Sequence, residues 1–417
     1  MRGKRRLPIA ELSIYLLFVL MALPFAASVQ SAPAREEILP VGVIQPLTGP
    51  GAGWGVSALR GAEMAVEQVN RKGVVVKGVT YRFKVIAEDD KYFADVAVDR
   101  LKKLIDRDNV KLVLGSLGSA SSVAQGPICA ANKVLHLTDG FDKNIIAASN
   151  TFSFMSTVMQ DFHGPGYIDF LAKQLPNVRK AFLVFIDDAT GQASLRITEP
   201  SVKKKGWEAI LEGFQRGITE FGPLCAKAVG AKPDVVLFCS VPPGDARKIA
   251  KGLRELGYKG VLAHMGSFVL PELYKMVGDD MGVVYCSGGV GEKPYANDDY
   301  IAFYSEYVKK YGREAFTGMD VVCYSTMRVY AQAMEMAQSL DSTVIRDLLA
   351  TPGKEWYHLM GGKCYTITEQ MVKEKGLGSN RYFNSVWSVS TWDKVAKKEV
   401  NAGWVYPYGW TGGEFPR

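Results

Sequence analysis

Histidine is scarce in this chain: four among 417 residues, His136, His163, His264 and His358. None lies at ligand spacing from another, and His136 and His264 fall inside apolar, strand-like runs where a hydrogen-bonded core histidine is the usual case. The six cysteines, Cys129, Cys225, Cys239, Cys286, Cys323 and Cys364, are far apart and form no C-x-x-C. A zinc site is therefore not expected, and no metal or other cofactor is called for. Most of these cysteines sit in apolar runs and read as buried small hydrophobes, although an oxidising compartment would permit disulfides whose pairing cannot be read from spacing. The phosphate loop G-x-x-x-x-G-K-[ST] is missing, and the glycines at 49, 51, 53 and 55 alternate in a way that fits G-x-G-x-x-G in no register. There is no G-x-S-x-G elbow around Ser119 or Ser267. No basic stripe with interleaved aromatics appears despite the net charge of +7, so a nucleic-acid partner is not expected. Beyond the first forty residues no apolar run reaches the ~20 residues of a membrane span.

What is present begins with Arg2, Lys4, Arg5 and Arg6, followed by an apolar stretch over residues 12–27 and small residues around Ala32-Pro33-Ala34. A charged start, a short apolar core and a small-residue exit describe a secretory signal peptide, here residues 1–34. An uncleaved anchor is the alternative, disfavoured by the shortness of the run, and no cysteine stands at the exit to carry a lipid. Thereafter apolar runs alternate with helical periodicity. Residues 39–44, 81–87, 112–114 and 134–137 read as strands; 58–70, 94–107 and the segment ending at Ala131 read as helices. The pattern restarts after residue 160, with strands at 181–186, 207–211, 235–239, 261–264 and 283–286. Such alternation predicts parallel sheets covered on both faces, in two lobes of similar size. The tail, with Trp392, Trp404 and Trp410 and no helical period, reads as short strands and a closing segment.

Residues 111–142, KLVLGSLGSASSVAQGPICAANKVLHLTDGFD, organise the candidate site. A strand, a small polar turn, a helix and a second strand put Ser119 and the helix N-terminus at the carboxyl edge of a sheet, where open α/β sheets bind ligands and a small anion is favoured. Capping of the helix by Ser121 or Ser122 is an equal reading of the same serines. Trp54, on a glycine-rich stretch at that edge, is a candidate wall for an apolar or aromatic ligand, with core packing as the alternative. The glycines there are accounted for by positive φ. The acidic doublets at 89–90, 187–188, 279–280 and 298–299 read more simply as caps and solvated loop acids than as a catalytic pair.

The order and spacing of VGVIQPLTGPGAGWG (41–55), RGAEMAVEQVN (60–70), VIAEDDKYFADVAVDRLKKLI (85–105), VLGSLGSASS (113–122), KPDVVLF (232–238) and ARKIAKGLRELGYKG (246–260) resemble the periplasmic branched-chain amino-acid-binding proteins of ABC importers, the type I, Leu/Ile/Val-binding-protein-like receptors. The resemblance covers roughly residues 38–350 and fades in the last sixty. It implies an α/β fold of two doubly wound lobes with parallel-sheet cores, joined by a three-crossing hinge. The lobes would be 38–156 plus 287–355, and 157–286 plus 356–417. It further implies a solute held between them: its carboxylate at Ser119, with contacts from Gly140 and Asp142, an aromatic wall at Trp54, and second-lobe contacts near Thr190, Pro242, Gly266-Ser267 and Met319.

Departures from the family's pattern bear on the solute. Asp142 stands where a threonine commonly helps hold the carboxylate; the acid that pairs the ligand's ammonium is missing at Gly266-Ser267; an aromatic near Thr190 is absent. The first-lobe disulfide of the family cannot form, because Tyr92 and Gly118 occupy its places. The expected protein is an exported, monomeric, non-enzymatic solute receptor of the periplasm that captures an amino-acid-like or carboxylate small molecule and delivers it to an ABC permease in the inner membrane. A ligand sensor for a membrane signalling partner and an exported hydrolase using Ser119 or an acidic pair are the other classes to be weighed.

Overall fold

A computed structural model describes residues 35–156, 159–288, 290–292 and 296–410. The expected signal peptide lies outside the described residues. Among those described, no helix is long and apolar enough to cross a membrane.

The first sheet contains β1 (Glu36–Gln45), β2 (Val74–Val76), β3 (Val79–Asp89), β4 (Leu112–Gly115), β5 (Leu135–Thr138) and β6 (Ser153–Met155). Its spatial order is β2-β3-β1-β4-β5-β6, parallel throughout except where β2 runs antiparallel to β3. The strand order reverses at β1, so a crevice opens beyond the carboxyl ends of β1 and β4. Strands β4 and β5 are buried at every position, the uninterrupted apolar reading of a sheet covered on both faces.

The second sheet repeats the plan with β7 (Lys180–Ile186), β8 (Glu208–Phe214), β9 (Val235–Cys239), β10 (Val261–His264) and β11 (Val284–Ser287). A C-terminal hairpin, β15 (Trp387–Asp393) and β16 (Lys398–Val405), extends it antiparallel beside β11, giving the order β16-β15-β11-β10-β9-β7-β8. The molecule is thus α/β, with parallel-sheet cores in two lobes. The chain passes between the two sheets after β6, after β11 and before β15.

The tail departs from the expected partition. Strands β12 (Glu355–His358), β13 (Gly362–Thr366) and β14 (Phe383–Asn384) form a small antiparallel sheet. It docks on the first lobe: Tyr382 bridges to Met155 of β6, and Arg381 donates to the carbonyls of Ser153 and Ala147 at 3.1 and 2.8 Å. Residues 355–384 therefore cover the β6 edge of the first lobe, and only the β15–β16 hairpin completes the second. These contacts span more than 200 positions in sequence, which local periodicity does not encode.

The glycine-rich stretch before residue 58 is helical from Ala52 onward. Helix α1 (Ala52–Asn70) starts six residues earlier than its periodicity suggests and includes Trp54. Of the four alternating glycines only Gly49 has positive φ. Gly55 is needed for close approach instead: a Cβ there would lie 2.2 Å from the Pro46 carbonyl oxygen. Gly61, one and a half turns on, meets the backbone of α10 (Met319–Ala337) in the same way, its would-be Cβ 2.1 Å from the Asp320 carbonyl oxygen. All six cysteines are free and buried.

Candidate functional site

The carboxyl edges of the two sheets face each other across a cavity of about 480 Å³, its open mouth included. From the first lobe come Trp54 on α1, Leu117 after β4, Asp139 and Phe141 after β5, and Thr317 and Met319 at the start of α10. From the second come Gln160, which opens α4 (Gln160–Gln174), Ser240 after β9, the Met265-Gly266-Ser267 turn after β10, Ser287 ending β11, and Trp387 opening β15.

The lobes are closed upon one another. Trp54 stands edge-on to His264, ring centroids 5.9 Å apart at 86°. The Gly244 N–H donates to the Pro50 carbonyl at 3.1 Å, and the Arg216 guanidinium lies 4.2 Å from the centre of the Tyr92 ring. Arg216 is held there by Asp188, which also caps α5 (Ala189–Lys204) by accepting from the Thr190 and Gly191 N–H groups. Arg196 of α5 reaches Asp142 of the first lobe at 4.0 Å and Asp161 at 3.1 Å.

Of the eight residues expected at the site, Trp54, Ser267 and Met319 line the cavity. The other five stand behind or beside its wall. Ser119 opens α3 (Ser119–Asn132) but is wholly buried, its Oγ accepting from the Phe141 N–H at 3.1 Å. It thereby fixes the loop after β5. Gly140 is backbone in that loop, its N–H donating to Thr138 Oγ1 at 3.1 Å. Asp142 caps the 3-10 turn Lys143–Ile146 by accepting from the Asn144 N–H at 2.7 Å. Thr190 is buried in the first turn of α5, its Oγ1 without a partner. Pro242 precedes α7 (Pro243–Glu255), and its carbonyl accepts from the Ala246 N–H at 2.8 Å.

Sequence reasoning passed over Asp139, Phe141, Gln160 and Trp387. The first two are neighbours of expected positions, displaced by one residue in a loop where alternate side chains point to opposite sides. Gln160 and Trp387 reach the cavity from two of the three lobe crossings and carry no local signal.

Asp139 is the cavity's acidic group. Burial pushes its pKa up to about 6, opposed by hydrogen bonds from Cys323, Gln45 and Ser156. Gln45 Nε2 donates at 2.6 Å, Cys323 Sγ at 3.0 Å and Ser156 Oγ at 3.4 Å. His264 is neutral: burial lowers its pKa to about 3, Nδ1 accepts from the Gly266 N–H at 2.7 Å and Nε2 donates to the Val241 carbonyl at 2.8 Å. Two buried polar atoms on cavity residues have no partner, Gln160 Oε1 and Trp387 Nε1. The arrangement can enclose an apolar or flat body, accept from a donor at Asp139 and Gln160, and donate through the Trp387 indole. Among the described residues no imidazole hydrogen-bonds to Ser119; the Ser153 Oγ that lies 3.0 Å from His136 Nδ1 is, like that ring, wholly buried and off the cavity wall.

Comparison with known proteins places residues 39–373 on a family model described as periplasmic binding protein. Among curated relatives, a Leu/Ile/Val-binding protein homologue of Brucella suis biovar 1 is 24% identical over 348 residues, 79% of this chain and 85% of the relative. Among solved structures, the leucine-binding protein LivK from Thermotoga maritima superposes with a TM-score of 0.73 at 20% identity, covering 88% of this chain and 99% of that one. An R. palustris ABC-transporter solute-binding protein, solved in complex with 4-hydroxybenzoate, also gives 0.73, at 17% identity over 90% and 100%.

Proposed function

The chain belongs to the periplasmic binding protein family, and from that premise we propose that it is the solute-capturing component of an ABC importer, holding one small amino-acid-like or carboxylate molecule between its lobes. The carrying observation is the cavity itself. It sits where both sheets present their carboxyl edges, and its wall is shared between the lobes, so neither lobe alone encloses a ligand. A solute docks on the open first lobe, the second lobe swings over it about the three crossings, and the contacts at Trp54, Tyr92 and Pro50 form only on closure. The closed outer surface is what an inner-membrane permease then engages. Export to the periplasm through the basic and apolar N-terminal segment, with residues 1–34 removed, and action as a monomer complete this reading. The names of the relatives, a leucine receptor and a 4-hydroxybenzoate receptor, mark the two chemical classes to try first.

The test is small-angle scattering of the exported protein, stripped of solute, with and without each member of a panel of amino acids, aromatic acids, amines and amides. A contraction of the radius of gyration, accompanied by thermal stabilisation, supports capture by closure. A ligand at a hundred times its Kd adds about 2.7 kcal/mol. Stabilisation without contraction removes the closure mechanism, and turnover of the ligand removes the receptor reading.

A further inference from the structure

Among the described residues, the cavity wall contains a carboxylate and no cation. None of the described residues that wall it is a lysine, arginine or histidine, yet Asp139 is there, nearly sealed from solvent at 2% exposure. Its hydrogen-bond donors, Gln45, Cys323 and Ser156, are all neutral. They replace water for the carboxylate without cancelling its charge, and a buried charge left without a counter-charge is costly. His264, behind Trp54, cannot supply one, since both ring nitrogens are engaged as a neutral imidazole engages them. Arg196 is committed to Asp142 and Asp161, and Arg216 to Asp188, outside the wall. A second acceptor, Gln160 Oε1, is buried on the wall without a partner, and Gln160 is 3% exposed. Trp54, Phe141 and Trp387 supply aromatic surface on both lobes, which attracts a cation as readily as it packs an apolar body.

We propose that the cleft selects a small organic amine without a neighbouring carboxylate: an ammonium group against Asp139, with Gln160 as a further acceptor, carried on an apolar or aromatic body that lies between Trp54, Phe141 and Trp387. The unpartnered Trp387 N–H serves an oxygen elsewhere on the molecule. An α-amino acid fits poorly, because its carboxylate would be carried in beside Asp139 with no cation to meet it. The Ser119 hydroxyl, which the family resemblance assigns to that carboxylate, is buried behind the wall and holds Phe141. This inference rests on the cleft being the solute site; it keeps the receptor role and puts an amine in place of the amino-acid-like or carboxylate solute.

Calorimetry on the solute-free, full-length exported protein decides it with matched probes: 2-phenylethylamine, 2-phenylethanol, phenylacetate and L-isoleucine. The amine is expected to bind at least tenfold tighter than the alcohol or the acid. Asp139→Asn is expected to erase that advantage, and circular dichroism with thermal unfolding reports separately that the variant is folded. If the variant does not fold, the wild-type ranking decides alone. The proposal is overturned if phenylacetate or isoleucine binds as tightly as the amine, if amine and alcohol bind equally, or if the amine does not bind. An acid or isoleucine that binds and contracts the molecule defeats the amine while leaving the receptor intact. The absence of both stabilisation and contraction with every solute of the wider panel defeats the receptor reading itself.

Discussion

Trp54 of the first lobe and His264 of the second meet edge to face across the cleft, centroids 5.9 Å apart, and Gly266 leaves the space for the indole: a Cβ on Gly266 would lie 2.8 Å from the Trp54 ring. Trp54 is therefore both cavity wall and latch. In an open molecule its face would be exposed, and closure buries it against a neutral imidazole.

Trp54→Ala should weaken solute binding sharply without unfolding the first lobe. Aromatic anchors at the centre of a closing interface commonly contribute 2 kcal/mol or more, which is about thirtyfold in Kd. Calorimetry with the tightest-binding solute of the panel measures it. A change below threefold would mean that Trp54 is core packing, the alternative its sequence context left open. Gly266→Ala tests the same contact from the other side and should hold the lobes apart, enlarging the radius of gyration of the ligand-bound form.

Arg216 fastens the rim. It pairs with Asp188 on its own lobe and stacks on Tyr92 of the other. Arg216→Lys keeps the charge but loses the planar stack, and Arg216→Ala loses both. The cation–π contribution is about 0.5–2 kcal/mol, so both variants should release solute faster, alanine more than lysine, with association little changed. Stopped-flow displacement separates the two rates. Equal dissociation rates in wild type and alanine variant would show the rim contact to be idle.

Gly61 lets α1 touch α10, and its absent side chain is a structural requirement rather than a flexible point. Gly61→Ala forces backbone apart and should destabilise by about 1–3 kcal/mol, the usual cost of overpacking. Gly230, ending α6 (Gly222–Gly230) with open space around it and no positive φ, should tolerate alanine or gain slightly. Urea unfolding of the two variants side by side measures the contrast.

The alternation of β and α and the two-lobe plan were legible because each buried strand is a local apolar run and each helix a local period. The cavity lies at the carboxyl edge that the strand–turn–helix order points to. What was hidden is non-local. The docking of residues 355–384 on β6 depends on Tyr382 meeting Met155, and the arrival of Trp387 in the cavity depends on a hairpin that must first pair with β11. Asp139 was missed by a single position, since a serine-pinned loop sets which of Asp139 to Asp142 turns inward, and that pin, Ser119 to Phe141, joins residues 22 apart.

The response to acid tests the buried polar core. His136 is wholly enclosed on β5, its Nδ1 3.0 Å from Ser153 Oγ, and burial lowers its pKa to about 4 from an ordinary 6.5. The unfolded chain thus binds a proton that the folded chain refuses. The stability this group confers is complete above pH 6.5 and is lost as pH falls towards 4, at up to about 1.4 kcal/mol per pH unit. Asp139 and Asp320 act oppositely: burial raises them to about 6 and 7, so the folded state takes up their protons first, and their charge penalty is relieved as pH falls through the same window. The wild-type curve is the difference of these opposing slopes. His136→Gln removes one of the acid-sensitive terms, so the gap in unfolding free energy between variant and wild type should shift in the variant's favour as pH is lowered from 7 to 4.5. Denaturant titrations at four pH values measure that gap, and a gap independent of pH would mean that His136 takes up its proton equally in the folded and unfolded chain.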